Sequence, residues 1–165
     1  MAEPSRGVKE PPGSGTARVR GYTRGSVRYL GLDVGDVRIG MALSDETETL
    51  ASGLPTFKRV GPRKDVKAVG ALVRQHEVGE IVVGMPRRLD GTLGPQAEKV
   101  AAFMQDLRNS IRVPVVEWDE RFTSVMATQA LIEGGVSRRN RKASVDQVSA
   151  VLILQSYLDY RKQAG

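Results

Sequence analysis

No cysteine occurs in the 165-residue chain. Disulfides, thiolate catalysis and cysteine-ligated zinc are therefore excluded, and a reducing compartment is compatible with that count. Histidine occurs once, as His76 in the polar run Arg74-Gln75-His76-Glu77, which suits a solvent-facing helix end. A multi-histidine metal site cannot form. Any metal must be held mainly by carboxylates, which favour hard cations such as magnesium or manganese. Aromatic residues make up only 5% of the chain, too few for a base-stacking platform, and Trp118 and Phe122 sit in apolar context. No apolar run is long enough to span a membrane without charges or to act as a secretion signal. The expectation is a cytoplasmic protein.

Net charge is +6, and residues 1–28 carry most of it: Arg6, Lys9, Arg18, Arg20, Arg24 and Arg28 against Glu3 and Glu10. Outside that segment the excess is only +2, so local basic clusters are better guides to nucleic-acid contact than the total. Residues 1–26 are rich in Gly, Pro, Ser and Arg without apolar period, and read as a disordered basic tail. Residues 27–165 are of a length and composition to form one globular domain.

That domain is organised around Tyr29-Leu30-Gly31-Leu32-Asp33-Val34-Gly35-Asp36-Val37-Arg38-Ile39-Gly40-Met41-Ala42-Leu43-Ser44. The stretch reads as two apolar strands joined at a tight turn, with Gly35 supplying positive φ and Gly40 allowing close backbone approach. Leu50–Phe57 reads as a short edge strand, since Pro55 cannot donate a ladder hydrogen bond. A helix from Pro62 follows, with Val66, Val69, Leu72 and Val73 at helical spacing. Glu80–Pro86 reads as a buried, parallel-type strand, and Asp90-Gly91 marks a turn. Pro95 opens a second helix with Ala97, Val100, Ala101, Met104 and Leu107 on its apolar face, and Val113–Trp118 reads as a further strand. Thr123 is a fair N-cap for a helix stopped at Gly134-Gly135. A basic loop, Arg138-Arg139-Asn140-Arg141-Lys142, precedes a last helix starting at the capping box Ser144-Val145-Asp146-Gln147. Its apolar face includes Val148, Val151, Leu152 and Leu158. The order implies an α/β fold with a mixed five-stranded sheet, antiparallel at one side and parallel at the other, and helices on both faces.

Asp33 stands in an otherwise apolar strand, where an isolated carboxylate costs several kcal/mol, so a partner is implied. A turn cap is the plainer alternative. In parallel α/β sheets, sites lie at the carboxyl ends of strands. Asp33, the pair Asp119-Glu120 after Trp118, and Asp146 can all reach such a region. Carboxylates ~4 Å apart repel by about 4 kcal/mol at an effective dielectric near 20, which a divalent cation offsets. Such a cation can activate water and clamp the oxygens of a phosphoryl displacement. Arg138, Arg139, Arg141 and Lys142 would put phosphate-binding charge beside it, and Arg87 and Arg88 follow another strand end.

Four stretches together resemble the YqgF/RuvX family of the RNase H-like superfamily. They are Gly31-Leu32-Asp33-Val34-Gly35 with Arg38-Ile39-Gly40; Val82–Pro86 with Leu89-Asp90-Gly91-Thr92; Asp119-Glu120-Arg121-Phe122-Thr123-Ser124; and Val145–Leu154. The resemblance implies an RNase H-like fold and a magnesium- or manganese-dependent nuclease. Members are described in 5′-end maturation of 16S rRNA, and alternatively as Holliday junction resolvases. It also implies that Asp33, Glu120 and Asp146 are a catalytic, metal-binding triad, with Arg38, Arg121 and Lys142 as phosphate contacts. Junction-resolvase relatives place a carboxylate near the end of the fourth strand, where this chain has Gly84-Met85-Pro86, so that duty falls to Glu120. The implied partner is structured RNA or branched DNA, with no membrane, and the protein a monomer or homodimer. A non-catalytic nucleic-acid-binding module is the reading from another class. A sugar-kinase-like ATPase is disfavoured by length and by Asp36, which stands where a small hydroxyl residue would help hold phosphate.

Overall fold

The computed structural model of the protein describes residues 27–120 and 138–164, the side chains of 138–146 excepted. Eight elements follow in order: β1 (Arg28–Val34), β2 (Arg38–Ser44), β3 (Ala51–Lys58), α1 (Pro62–Gln75), β4 (Val78–Met85), α2 (Pro95–Ser110), β5 (Val115–Asp119) and α3 (Arg138–Ala164). They form one five-stranded sheet in the order β3-β2-β1-β4-β5. The short β1–β2 and β2–β3 connections give antiparallel pairs, whereas α1 and α2 serve as crossovers that make β1, β4 and β5 parallel. The mixed sheet predicted from the element order is therefore present. No helix among the described residues is long and apolar enough to cross a membrane.

Strand alternation divides the sheet into two faces. Leu30, Leu32 and Val34 of β1 pack with Ile39, Met41, Ile81, Val83 and Met85 under Val66, Val69 and Val73 of α1 and Val100, Phe103, Met104 and Leu107 of α2. Tyr29, Ala42, Val82 and Val116 face the other way, against Ala150, Ile153, Leu154, Tyr157 and Leu158 of α3. Each fully buried Leu or Ile contributes about 1.5–3 kcal/mol by removal from water. Close approach of α3 depends on Gly31, where a Cβ would lie 2.7 Å from Leu154 Cβ and 3.2 Å from the Ala150 carbonyl oxygen.

Side-chain amides of α3 also hold the sheet edge. Gln155 accepts from the Ala51 N–H at 2.9 Å and donates to Thr49 O at 2.9 Å, and Gln147 donates to Leu54 O at 2.9 Å. At the far end of the helix, the Tyr157 hydroxyl donates to Glu80 Oε1 at 2.5 Å, and the Arg161 guanidinium lies 5.3 Å from the Tyr29 ring centre. Burial lifts the Glu80 carboxyl above its usual range, despite the opposing pull of Tyr157 and Arg161.

Several local expectations need correction. The last helix begins at Arg138, not Ser144, so the basic run 138–142 is helical and Ser144–Gln147 lies inside the helix rather than capping it. Arg, Lys and Ala are good helix formers, and nothing in that run stops the helix. Its buried stripe is Ala150, Ile153, Leu154, Tyr157 and Leu158, with Val148, Val151 and Leu152 only half-buried. On α2, Phe103 is buried and Ala101 exposed. β5 begins at Val115, because Pro114 has no N–H to pair, although its carbonyl accepts from Ile81 N–H. Gly35 does not adopt positive φ; a Cβ there would lie 2.9 Å from Arg38 O, so space and not handedness selects glycine. Gly91, at φ 86°, does use left-handed freedom in its turn. Pro55 and Thr56 together oppose Gly40, a bulge on the edge strand. The tail reading of residues 1–26 and the helix expected after Thr123 lie outside the described residues.

A buried ionic knot starts α1. Asp65, fully buried, accepts from Val60 N–H (2.9 Å), Gly61 N–H (3.3 Å) and Arg59 Nε (3.0 Å). Burial raises the Asp65 carboxyl, but these hydrogen bonds and the Arg59 charge together hold it below the usual carboxylate range. Its stabilisation is thus complete above the unfolded value of 3.8 and fades as pH falls through the lower folded value. Asp65→Ala leaves a guanidinium and two N–H groups without their acceptor, and is expected to cost about 3–5 kcal/mol in urea unfolding at pH 7.

Candidate active site

Asp33 lies at the carboxyl end of the central strand β1. Alternation places it with Tyr29 and Gly31 on the α3 face of the sheet, opposite Gly40 of β2. Arg38 shares that face, because it is in phase with Gly40 and Ala42 across the hairpin. The β5 ladder runs one residue past Asp119, since Glu120 N–H donates to Met85 O at 3.2 Å. Glu120 is therefore in phase with Val116 and Trp118, and it too faces α3. Its carboxylate lies directly over Gly84 of β4. Just below, Trp118 Nε1 donates to Ser156 Oγ at 2.8 Å and ties β5 to α3.

Two of the sequence-predicted acids thus share one face at the ends of parallel strands. Burial pushes the Glu120 carboxyl up to about 8, and the charges of Asp33 and Asp119 push in the same direction. Asp119 pairs with Met85 and by alternation faces the α1–α2 side. Asp90 builds its own turn, accepting from Thr92 N–H and Oγ1 at 2.9 and 2.7 Å.

The third acid, Asp146, is not in the first turn of its helix as its sequence position implied, so the helix-dipole argument for it falls away. Residue 146 is one turn before Ala150. Tyr157 meets Glu80 near the start of β4 and Ile153 meets Gly84 near its end, so α3 runs antiparallel to β4 and its N-terminal half extends toward the acidic pair. The side chains of Arg138, Arg139, Arg141, Lys142 and Asp146, and all of Arg121, lie outside the described residues. Arg87 follows β4, where its guanidinium donates to Gly91 O at 3.1 Å and pairs with Glu117 at 2.8 Å.

The brace around the end of β1 was not legible as a site. Gly35 N–H donates to Arg38 O at 2.8 Å, and Arg59 Nη1 donates to Gly35 O at 2.9 Å while its Nε holds Asp65. Gln96 donates to Val34 O at 3.3 Å, and Lys99 pairs with Asp36 at 3.2 Å. Five polar side chains from three segments thereby hold the turn that follows Asp33. An acid in the first turn of the Pro62 helix was the one available signal.

The donor chemistry fits a hard divalent cation. Only oxygen ligands are at hand, and a half-buried carboxyl held at about 8 beside another carboxylate is an arrangement that a cation would relieve. Among the described residues, no group of three potential ligands gathers; the Asp33 charge acts on Glu120.

Comparison with solved structures bears on the fold. Thermus thermophilus RuvC in complex with a Holliday junction substrate matches with a TM-score of 0.55 at 12% identity, over 84% of this chain and 96% of that one. Fowlpox virus resolvase with Holliday junction DNA matches with a TM-score of 0.50 at 12% identity, over 82% and 99%. These likenesses establish the RNase H-like fold. Relatives in sequence are much nearer. Proteins of Thermoanaerobacter pseudethanolicus (47% identical, over 82% of this chain and 99% of the relative), Caldanaerobacter subterraneus (48%, 84% and 100%) and Clostridioides difficile (45%, 81% and 95%) are each provisionally named pre-16S rRNA nuclease. The family profile that matches residues 27–160 is RuvX, described as Holliday junction resolvase, and the chain belongs to that family.

The Glu120 carboxyl makes the metal-free protein pH-sensitive. Its folded value of about 8 lies above the usual 4.5, so its contribution is complete below 4.5 and is lost as pH rises toward 8. Glu120→Gln is expected to flatten that slope. In chelator at pH 8 it should raise the Tm, by about 2–4 °C for each kcal/mol of strain relieved. Melting curves from pH 5 to 8.5 check this.

Proposed function

We propose that this protein is a divalent-metal-dependent endonuclease that trims the 5′ end of precursor 16S rRNA in the cytoplasm. One observation carries the metal-dependent hydrolase reading. Asp33 and Glu120 share one face at the ends of β1 and β5, and the Glu120 carboxyl is pushed up to about 8 by burial and by its acidic neighbours. The choice of rRNA rests on relatives 45–48% identical that bear that name.

In this reading Asp33, Glu120 and Asp146 hold Mg2+ or Mn2+. When bound, such a cation supplies Lewis-acid activation of water and neutralises charge on the phosphate undergoing in-line attack. The chain's own groups do the rest. Asp33 is immobilised because β1 is paired on both sides and its following turn is braced, so little ordering remains to be done on binding substrate. Glu120 enters with the Asp33 and Asp119 charges beside it, so cation binding and its ionisation are linked. Arg38 projects on the same face and would contact a backbone phosphate. Arg121, Arg138, Arg139, Arg141 and Lys142 would extend that contact along the strand, each neutralised phosphate adding to the salt dependence. Arg87, already paired with Glu117, would position the loop after β4 and meet phosphate at its rim.

Hydrolysis of a Holliday junction is the second reading. The family description and the structural likeness to resolvases favour it. Resolution needs two sites, hence a homodimer, whereas RNA trimming proceeds with a monomer.

Asp33→Asn is expected to lower cleavage by more than about 100-fold while nucleic-acid binding survives. The measurement is a panel of a precursor 16S rRNA 5′ fragment, single-stranded RNA and a four-way DNA junction, in Mg2+ and in Mn2+. Cutting of the rRNA fragment alone supports the proposal. Symmetrical junction cutting by a dimer replaces it with the resolvase reading. Binding without cleavage by the wild type makes the protein a nucleic-acid-binding module.

A further inference from the structure

The most crowded glycine near the acidic pair is Gly84. A Cβ built there would run into two side-chain tips at once, Glu120 Oε2 and Ile153 Cδ1, both closer than real Cβ atoms come, with Ile153 Cγ1 at 3.2 Å. Gly84 is buried in β4, paired with Trp118 of β5 on one side and next in line to Val83, which pairs with Leu32 of β1, on the other. Its backbone therefore cannot retreat without breaking ladder pairs. Ile153 is fully buried in the α3 core, wedged among Val82, Val116 and Leu154, and has little room to turn. Glu120 lies past the last residue of β5 and is the neighbour able to move.

We propose that Gly84 is a positioning residue, whose missing side chain is the space in which the Glu120 carboxylate is held toward Asp33. The inference rests on the reading of Asp33 and Glu120 as a cation-holding pair. It goes further in assigning the placement of one ligand to a residue that has no functional group. Any side chain at position 84 pushes the carboxylate outward, toward solvent and away from Asp33. The backbone of β5 needs no change for this, because the Glu120 N–H bond to Met85 O is independent of the side chain.

The test reads Mn2+ affinity from the free-ion EPR signal, with a melting curve for each variant and no substrate present. Gly84→Ala is expected to weaken Mn2+ binding by about 10–100-fold, the range for residues that orient a metal ligand. Gly79→Ala is the control. It lies on the same strand, and its added Cβ meets only Val27 at the far end of β4. It should lower the Tm without weakening Mn2+ binding. In the Gly84→Ala background, Glu120→Asp shortens the displaced side chain by one methylene and should recover about 10-fold or more of the loss, whereas in the wild-type background the same change weakens binding. That reversal of sign is a coupling that general destabilisation does not produce. Should Gly84→Ala fold poorly, Gly84→Ala/Ile153→Val removes the core clash and must still bind Mn2+ weakly.

Wild-type affinity in folded Gly84→Ala, or an equal loss in Gly79→Ala, overturns the role of Gly84 and leaves the acidic pair standing. A wild type that takes up no Mn2+ overturns the pair itself.

Discussion

The carboxyl end of this sheet answers to one electrostatic constraint: two carboxylates, Asp33 and Glu120, are kept close together and partly out of water. Burial penalises the ionised Glu120 first, and Asp33 and Asp119 add repulsion. Left alone, such a pair would swing apart into solvent. The fold opposes this by fixing the two backbones, Asp33 on β1 and Glu120 just past the end of β5, and by leaving room over Gly84 for the Glu120 carboxylate.

Holding the acids also demands that the layers around them be close-fitting. The α3 face of the sheet carries Gly31 on β1 and Gly84 on β4; α3 settles against Gly31, and Glu120 and Ile153 share the space over Gly84. The helix is tied at intervals along its length, through Gln147 and Gln155 to β3, Ser156 to Trp118 and Tyr157 to Glu80. On the opposite side of the sheet the core under α1 and α2 is mainly apolar, with polar bracing where Arg108 of α2 donates to Val115 O and at the β1–β2 turn. There Arg59 ties the start of α1 to Gly35, so the Asp65 knot and the Asp33 site are mechanically joined.

Much of this was legible beforehand for identifiable reasons. Alternating and continuous apolar runs located the strands, and Pro62 and Pro95 marked two helix starts, because strand periodicity and the missing proline N–H act within a few residues. Asp33 stood out because its neighbours are apolar. Misreadings arose where competing local signals were close in strength. Ser144–Gln147 has the form of a capping box, yet the good helix formers before it extend the helix to Arg138. Gly35 looked like a residue chosen for handedness and is instead one chosen for room beside Arg38 O.

By itself, the sequence determined the chemical vocabulary. With no cysteine and a single histidine, a metal site here has to be built from carboxylates, and the strand and helix periods place those acids near strand ends. Tertiary structure alone decided which acids share a face, what Glu120 titrates at, and that Gly84 supplies the space for its carboxylate. Those properties depend on distances between segments tens of residues apart, set by sheet register and by the depth at which α3 packs, and no local pattern encodes them.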